Sequence, residues 1–328
     1  MSATAFDPVV LGTGHVATTD RAIAHRTLEV LNSVLPRSAL LHGAERFNEN
    51  RPMSDLDVAV DGLSRNWHGE LVAGLAEAGQ MPLVVWPYDS GAVTLFLATD
   101  GLAEGVQLDL LFSPSGEGRY GFRSTTALRD TSPRTPIDSL SPVDSWLYQV
   151  QKRWMKGQRA QLDDLIASPP ADREVLLRRT CVLFSGKHVT LVRALIEGHE
   201  PVGPGRHLFN DLPRITRRLI TPAGLWVHSQ SPDGVCAKEI HRRLSRFLLR
   251  TSLLAWPSRN RLGRIVDTQR IAQLRWRAGV AVTFGPRTSP ADIDIASADL
   301  LEAAEQLRAS AAKRALDHLA RLQWSTTE

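Results

Sequence analysis

Hydrophobic positions in the first third of the chain alternate between two periods. In TTDRAIAHRTLEVLNSVL (18–35), Ile23, Thr27, Val30, Leu31 and Val34 fall at helical spacing behind Thr and Asp cap candidates, predicting an amphipathic helix. SALLHG (38–43) reads as a short buried strand ending at a glycine, DLDVAV as a second strand, and WHGELVAGLAEAG (67–79) as a second helix. PLVVWPY (82–88), AVTLFLAT (92–99) and GVQLDLLF add three more strands between Asp-Ser-Gly and Gly-rich turns. A sheet of about five strands carrying helices is thus expected by residue 115, which places the chain in the α/β class.

The texture then changes. Residues 113–142 are rich in Ser, Pro, Gly and Arg and read as an ordered loop region or linker. From PVDSWLYQVQKRWMKGQRAQLDDLI (142–166) to about residue 200 the pattern is helical, and EGHEPVGPGRH (197–207) marks a second boundary. The last third predicts a helix-like FNDLPRITRRLI, a strand at AGLWVHS, a long basic helix from about residue 234, and a uniformly helical end over 297–323. Three regions result: 1–140, a helical segment 141–205, and a basic region 206–328.

Composition adds a polarity to this order. The net charge of +4 conceals 19 Lys and Arg against 24 Asp and Glu in residues 1–200, and 20 against 11 thereafter. The longest uncharged apolar runs are too short to span a bilayer, and the N-terminus lacks the basic and apolar regions of a signal peptide. Cys181 and Cys236 form no C-x-x-C pair; a reduced cytoplasmic setting is expected, with both thiols acting as small apolar residues.

The chemistry concentrates in LLHGAERFNENRPMSDLDVAV (40–60). Asp55 and Asp57 stand at i and i+2, on one face of the strand. Asp109 interrupts the otherwise apolar VQLDLLF, and an ionised carboxylate on an inner strand is costly unless paired or metal-bound. Three aspartates from two strands can converge on a pair of Mg²⁺ ions, which take oxygen ligands and clamp the attacking and leaving oxygens of a displacement at phosphorus. Gly43, at a strand-to-helix junction, lets the backbone approach a phosphate. Gly43-Ala44, ten residues, Asp55-Leu56-Asp57 and a later strand with Asp109 resemble the signature of the DNA polymerase beta-like nucleotidyltransferase superfamily, apart from Ala44 where Gly or Ser is usual. The resemblance implies an α+β catalytic domain with a mixed sheet. It also implies that Asp55 and Asp57 bind the metals, while Asp109 completes the second site and orients or deprotonates the acceptor hydroxyl.

Basic residues on SWLYQVQKRWMKGQRAQLDDL could neutralise a departing pyrophosphate. Lys152 and Lys156 share a helix face at i and i+4, Arg159 follows, and Leu147, Val150 and Trp154 form the apolar side. The segment resembles the helix after the catalytic domain in toxin-type nucleotidyltransferases, with Ala160 breaking the expected Arg-Asp pair and Asp163 and Asp164 retained. Lys187 is a weaker candidate of the same kind. Arg51 and Ser54, directly before the aspartates, could contact phosphate or stiffen the turn. His42, beside Gly43, is expected to cap the strand end or face the substrate.

Residues 224–244 resemble a thymidylate kinase-like phosphate-binding loop in which every requirement is damaged: Ser231 and Cys236 stand at glycines, Ala237 at the lysine and Lys238 at the hydroxyl residue. Gly285 stands near the acidic position of a later strand. Residues 206–328 therefore read as a kinase-like domain that has lost phosphoryl transfer. Its arginines (Arg242, Arg243, Arg246, Arg250, Arg259, Arg261, Arg264, Arg270, Arg275, Arg277) could bind phosphates or RNA, and Trp226, Trp256 and Trp276 are expected in its core. No two histidines are spaced as zinc ligands. The expected activity is transfer of a nucleoside monophosphate from an NTP to a hydroxyl or phosphate of a small acceptor, with two Mg²⁺ ions and release of pyrophosphate. An RNA acceptor docked on the basic end, or a non-catalytic nucleotide-binding scaffold, are the other two readings.

Overall fold

A computed structural model describes residues 21–49, 55–89, 92–112, 121–131, 135–199, 223–231, 234–248, 250–256, 261–286, 291–297 and 299–321. It is a mixed α/β protein with two sheets. The first contains β1 (Ser38–Leu40), β2 (Asp55–Val60), β3 (Gln80–Asp89), β4 (Ala92–Thr99), β5 (Gly105–Phe112), β6 (Arg129–Asp130) and β7 (Asp138–Leu140), in the order β3-β4-β5-β2-β1-β7-β6. The five expected strands are all present. Two short ones, β6 and β7, come from the stretch read as a linker; β7 joins β1 in parallel, and strands of two and three residues are too short to show a period of two. Pro82 and Pro87 flank register shifts on β3, an edge strand, where a missing N–H is tolerated.

Helices α1 (Arg21–Val34) and α3 (Trp67–Glu77) cover one face of this sheet, burying Ile23, Leu28, Leu31, Trp67, Leu71 and Leu75 against Leu56, Val58, Leu95, Leu108 and Leu110. A five-residue helix, α2 (Ala44–Asn48), follows β1. The opposite face has two covers. Over β1, β2 and the far end of β5 lies the helical segment: α4 (Pro142–Met155), α5 (Arg159–Ala167), α6 (Arg173–Leu183) and α7 (Lys187–Ile196). Leu147, Val150 and Trp154 are buried on α4, as the spacing requires.

The start of α4 is fixed by charge. Ser141 caps it by accepting a hydrogen bond from the Asp144 amide. The Asp144 side chain, fully buried, accepts from the Leu128 amide at 2.6 Å and takes both Arg179 nitrogens of α6, at 2.9 and 2.5 Å.

The second cover is a four-stranded parallel sheet, ordered β11-β8-β10-β9, from β8 (Leu225–Ser229), β9 (Thr251–Ala255), β10 (Val280–Phe284) and β11 (Ile293–Ile295). The expected long basic helix from residue 234 is instead α8 (Val235–Leu244), then β9, then α9 (Arg261–Trp276). The arginines flanking β9 hide its alternation, in which Ser252 and Leu254 point inward. Trp226 and Trp256 pack edge to face at 5.6 Å, and Trp276 is half-buried at the end of α9. Cys236 is buried, but Cys181 is exposed on α6, contrary to the expectation of two packed thiols. The stretch 208–220 lies outside the described residues.

The last helix, α10 (Leu300–Arg321), belongs to both cores: Ala303, Leu307 and Ala311 pack with the parallel sheet, while Ala315 and Leu319 join the first sheet's core. Among the described residues no helix is long and apolar enough to cross a membrane.

Asp144→Ala strands the Arg179 charge and the Leu128 amide together, and is expected to destabilise the protein by about 3–5 kcal/mol in denaturant unfolding. On α10, burial, followed by the nearby charges of Arg314, Arg321 and Arg275, pushes the His318 ring down to about 3 from its usual 6.5. The stability that its neutral form contributes is therefore full above about pH 6.5 and is lost as pH falls from there toward 3. His318→Gln is expected to flatten the loss of Tm between about pH 6.5 and pH 4. Parallel Tm curves for the two proteins would contradict this.

Candidate metal centre

Parallel pairing of β2 with β5 sets Asp57 directly opposite Asp109, and Asp55 opposite Gln107. Because side chains alternate along a strand, Asp55, Asp57, Gln107 and Asp109 share one face, while Leu56, Val58, Leu108 and Leu110 point into the core behind. Antiparallel pairing of β4 with β5 adds Thr94 to the same face, opposite Asp109. One carboxylate oxygen from each of Asp55, Asp57 and Asp109 lies within 4.8 Å of the others.

This polar group occupies a seam. Farther along the same face, Ala39, Leu41, Ala59, Ala92 and Leu111 are covered by α4 and its neighbours. In the other direction, Val84, Trp86, Phe96 and Ala98 are covered by the C-terminal unit. The aspartates stand where the two covers meet. Asp57 and Asp109 are buried, and the Asp55 side chain, 24% exposed, faces the opening.

Lys152 of α4, itself only 3% exposed, enters this group. Its ammonium makes direct contact with Asp57 Oδ2 and lies 3.7 Å from Asp55 Oδ2. It is also 3.0 Å from His42 Nε2, which hydrogen-bonds the same Asp57 oxygen. His42 is carried by the end of β1, where the Leu41 amide donates to the Asp57 carbonyl at 2.9 Å, and its ring stacks on Tyr148 of α4. Burial alone would push the Asp57 carboxyl up, but the adjacent Lys152 and His42 outweigh it and hold the group well below the usual carboxylate range. Asp109 is oriented differently: the Thr94 hydroxyl donates to Oδ1, and the Gln107 amide reaches both oxygens at 3.2 and 3.3 Å.

Lys156 caps the C-terminus of α4 and is exposed. Its ammonium is pushed below its ordinary pKa by partial desolvation and then by Lys152, against the opposing pull of Asp57, Asp55 and Asp109. The two lysines therefore both approach the aspartates from one helix face, one buried among them and one at the rim. Gly43, with φ of 89°, precedes α2 in a left-handed conformation that a side chain at this position would strain, and Ala44 begins the helix. Arg51 and Ser54 lie outside the described residues. Arg159 stacks over the Trp154 ring at 3.8 Å, and Lys187, at the start of α7, is exposed.

Sequence reasoning did not name Thr94 and Gln107. The signal was available: Gln107-x-Asp109 repeats the i, i+2 spacing of Asp55-x-Asp57, and Thr94 is polar within an apolar strand.

The three carboxylates form an all-oxygen anionic donor set that could bind a metal ion, and such a set suits hard cations. At the far end of the chain, Phe284 of β10 packs beside the start of α8. Gly234 opens α8 in a left-handed conformation, and the Phe284 ring lies 2.5 Å from where a Cβ would be. Ala237 is wholly buried, and Lys238 is exposed with its ammonium 5.9 Å from the Phe284 ring centre. Pro232 and Asp233 lie outside the described residues. Several of the arginines are internally engaged: Arg243 with Glu239 and the Gly101 carbonyl, Arg250 with the Arg277 carbonyl, and Arg275 with Asp292. No protein-family model and no curated protein matches the chain.

Proposed function

We propose that the chain is a Mg²⁺-dependent nucleotidyltransferase that moves a nucleoside monophosphate from an NTP to a hydroxyl or phosphate of a small-molecule acceptor and releases pyrophosphate. The observation that carries this reading is the convergence of Asp55, Asp57 and Asp109 from paired strands onto one face, at the mouth of a seam between two structural covers. Seams of this kind are where ligand sites usually form. A divalent cation held by these carboxylates would supply Lewis-acid polarisation of the phosphoryl oxygens.

The chain's own groups take the remaining roles. Asp109, held by Thr94 and Gln107, presents a fixed carboxylate to receive the acceptor's proton or orient its hydroxyl as the new oxygen–phosphorus bond forms and the bond to the β-phosphate breaks. Lys156, exposed at the end of α4, would pair with the leaving pyrophosphate. Positive charge at the rim beside a buried anionic centre favours a ligand carrying both phosphate and metal.

The test is pyrophosphate release in Mg²⁺ with each NTP and a panel of hydroxyl and phosphate acceptors. Asp109→Asn is expected to lower kcat at least about 100-fold while leaving the fold intact by circular dichroism; Asp57→Asn is expected to lower kcat as much and, because it leaves the buried Lys152 ammonium without its ion pair, to lower stability as well. Turnover in either variant equal to the unmodified protein would overturn the assignment. Thr94→Val, which removes one of the hydrogen bonds that orient Asp109, is expected to lower kcat about 10-fold, since groups orienting a metal ligand contribute roughly 10–100-fold.

A further inference from the structure

We propose that Lys152 is the site's own cation: its ammonium lies against Asp57 and beside Asp55, two of the carboxylates that would hold a divalent ion, so that metal entry and Lys152 departure are one event. The inference rests on the metal-centre reading above and concerns how that centre is regulated. Three distances define the seat. The ammonium touches Asp57 Oδ2, lies 3.0 Å from His42 Nε2, and lies 3.7 Å from Asp55 Oδ2. It therefore stands among the carboxylates that would hold the ion, in contact with one and near the other on the same strand face.

Two cations cannot occupy one seat. A divalent ion in contact with the same Asp57 oxygen would meet the ammonium at close range in a buried, weakly screening environment.

The residue type fits a displaceable plug. Lysine carries a point charge on a flexible four-carbon stem, whereas arginine would lock both carboxylate oxygens through its fork. An exit is at hand, because Lys156 lies one turn farther along the same helix face and is already exposed. With Lys152 seated, the protein is neutral enough to stay folded without metal; with Lys152 displaced, a second ammonium joins Lys156 at the rim, where an incoming phosphate chain would meet it. The empty enzyme thus binds divalent ions weakly by design of its own side chains.

Mn²⁺ alone serves as the probe, through the paramagnetic signal of the free ion, titrated into the full chain and into Lys152→Met and Lys156→Met. Seat occupancy predicts at least about tenfold tighter Mn²⁺ binding in Lys152→Met, and less than about threefold change in Lys156→Met, which removes an equal charge from outside the seat. A second measurement needs no variant: acylation of Lys152 in the unmodified protein, followed by mass spectrometry, is expected to rise at least tenfold when Mn²⁺ is added, with Lys187 unchanged. Equal Mn²⁺ affinity in all three proteins, or Lys152 acylation indifferent to saturating Mn²⁺, would overturn the inference and leave the metal centre standing. Absence of Mn²⁺ binding at millimolar concentration in every protein would overturn both.

Discussion

A single buried charge constrains most of this molecule. Asp57 is 1% exposed in the middle of a sheet, and an isolated carboxylate there would lose several kcal/mol of hydration. Its neutralising partner cannot come from β2 or β5, whose inward faces are apolar and whose outward faces are acidic or neutral. It comes from α4, which must cross the sheet at the height and rotation that deliver Lys152. Asp144 fixes the same helix at its start by holding Arg179 and the Leu128 amide. Two ion pairs, eight residues apart in sequence, thus pin both ends of α4 against the sheet. The apolar packing of Leu147, Val150 and Trp154 between them follows from that placement.

The second constraint is coverage. One face of the first sheet is buried continuously under α1 and α3. The other is divided between the helical segment and the C-terminal unit, and the aspartates lie at the division. Neither cover alone would make a cleft. The C-terminal unit contributes a wall by packing Ile240, Leu244 and Leu307 near Val84 and Ala98, and α10 ties it down by extending Ala315 and Leu319 into the first core. The arginines of the C-terminal unit are partly spent on internal carbonyls and carboxylates, and bracing the first sheet is the role that its packing displays.

Much of this was legible in the residues. Period-two alternation located β2, β4 and β5, and an aspartate inside an apolar run marked the place where the alternation serves something other than the core. The i, i+2 spacing of Asp55 and Asp57 required a common face. Asp109 was readable as the third carboxylate; the register that sets it opposite Asp57, and with it the parts of Thr94 and Gln107, was not, because register between strands is set by crossover geometry rather than by local sequence. Lys152 and Lys156 were readable as neighbours on one helix face, but amphipathic spacing does not say whether a lysine at the edge of that face turns outward to solvent or inward to a carboxylate. The strand at 251–255 was hidden for a related reason: flanking arginines mimic a solvated helix when the buried positions between them number only two.

The same ambiguity explains why the site combines burial with function. A lysine that only solvated α4 would leave Asp57 without a countercharge, and a fold with Asp57 uncompensated would pay for it by protonating the carboxyl. Here Asp57 meets both Lys152 and His42, and these contacts favour the carboxylate against the effect of burial. The anion is therefore kept as an anion in a place where protonation would be the easier solution. The buried anion is matched by an ammonium from α4, whose next turn carries Lys156 toward solvent. Folding stability draws on this contact and the proposed metal binding would draw on it too, so a substitution at either end acts on both.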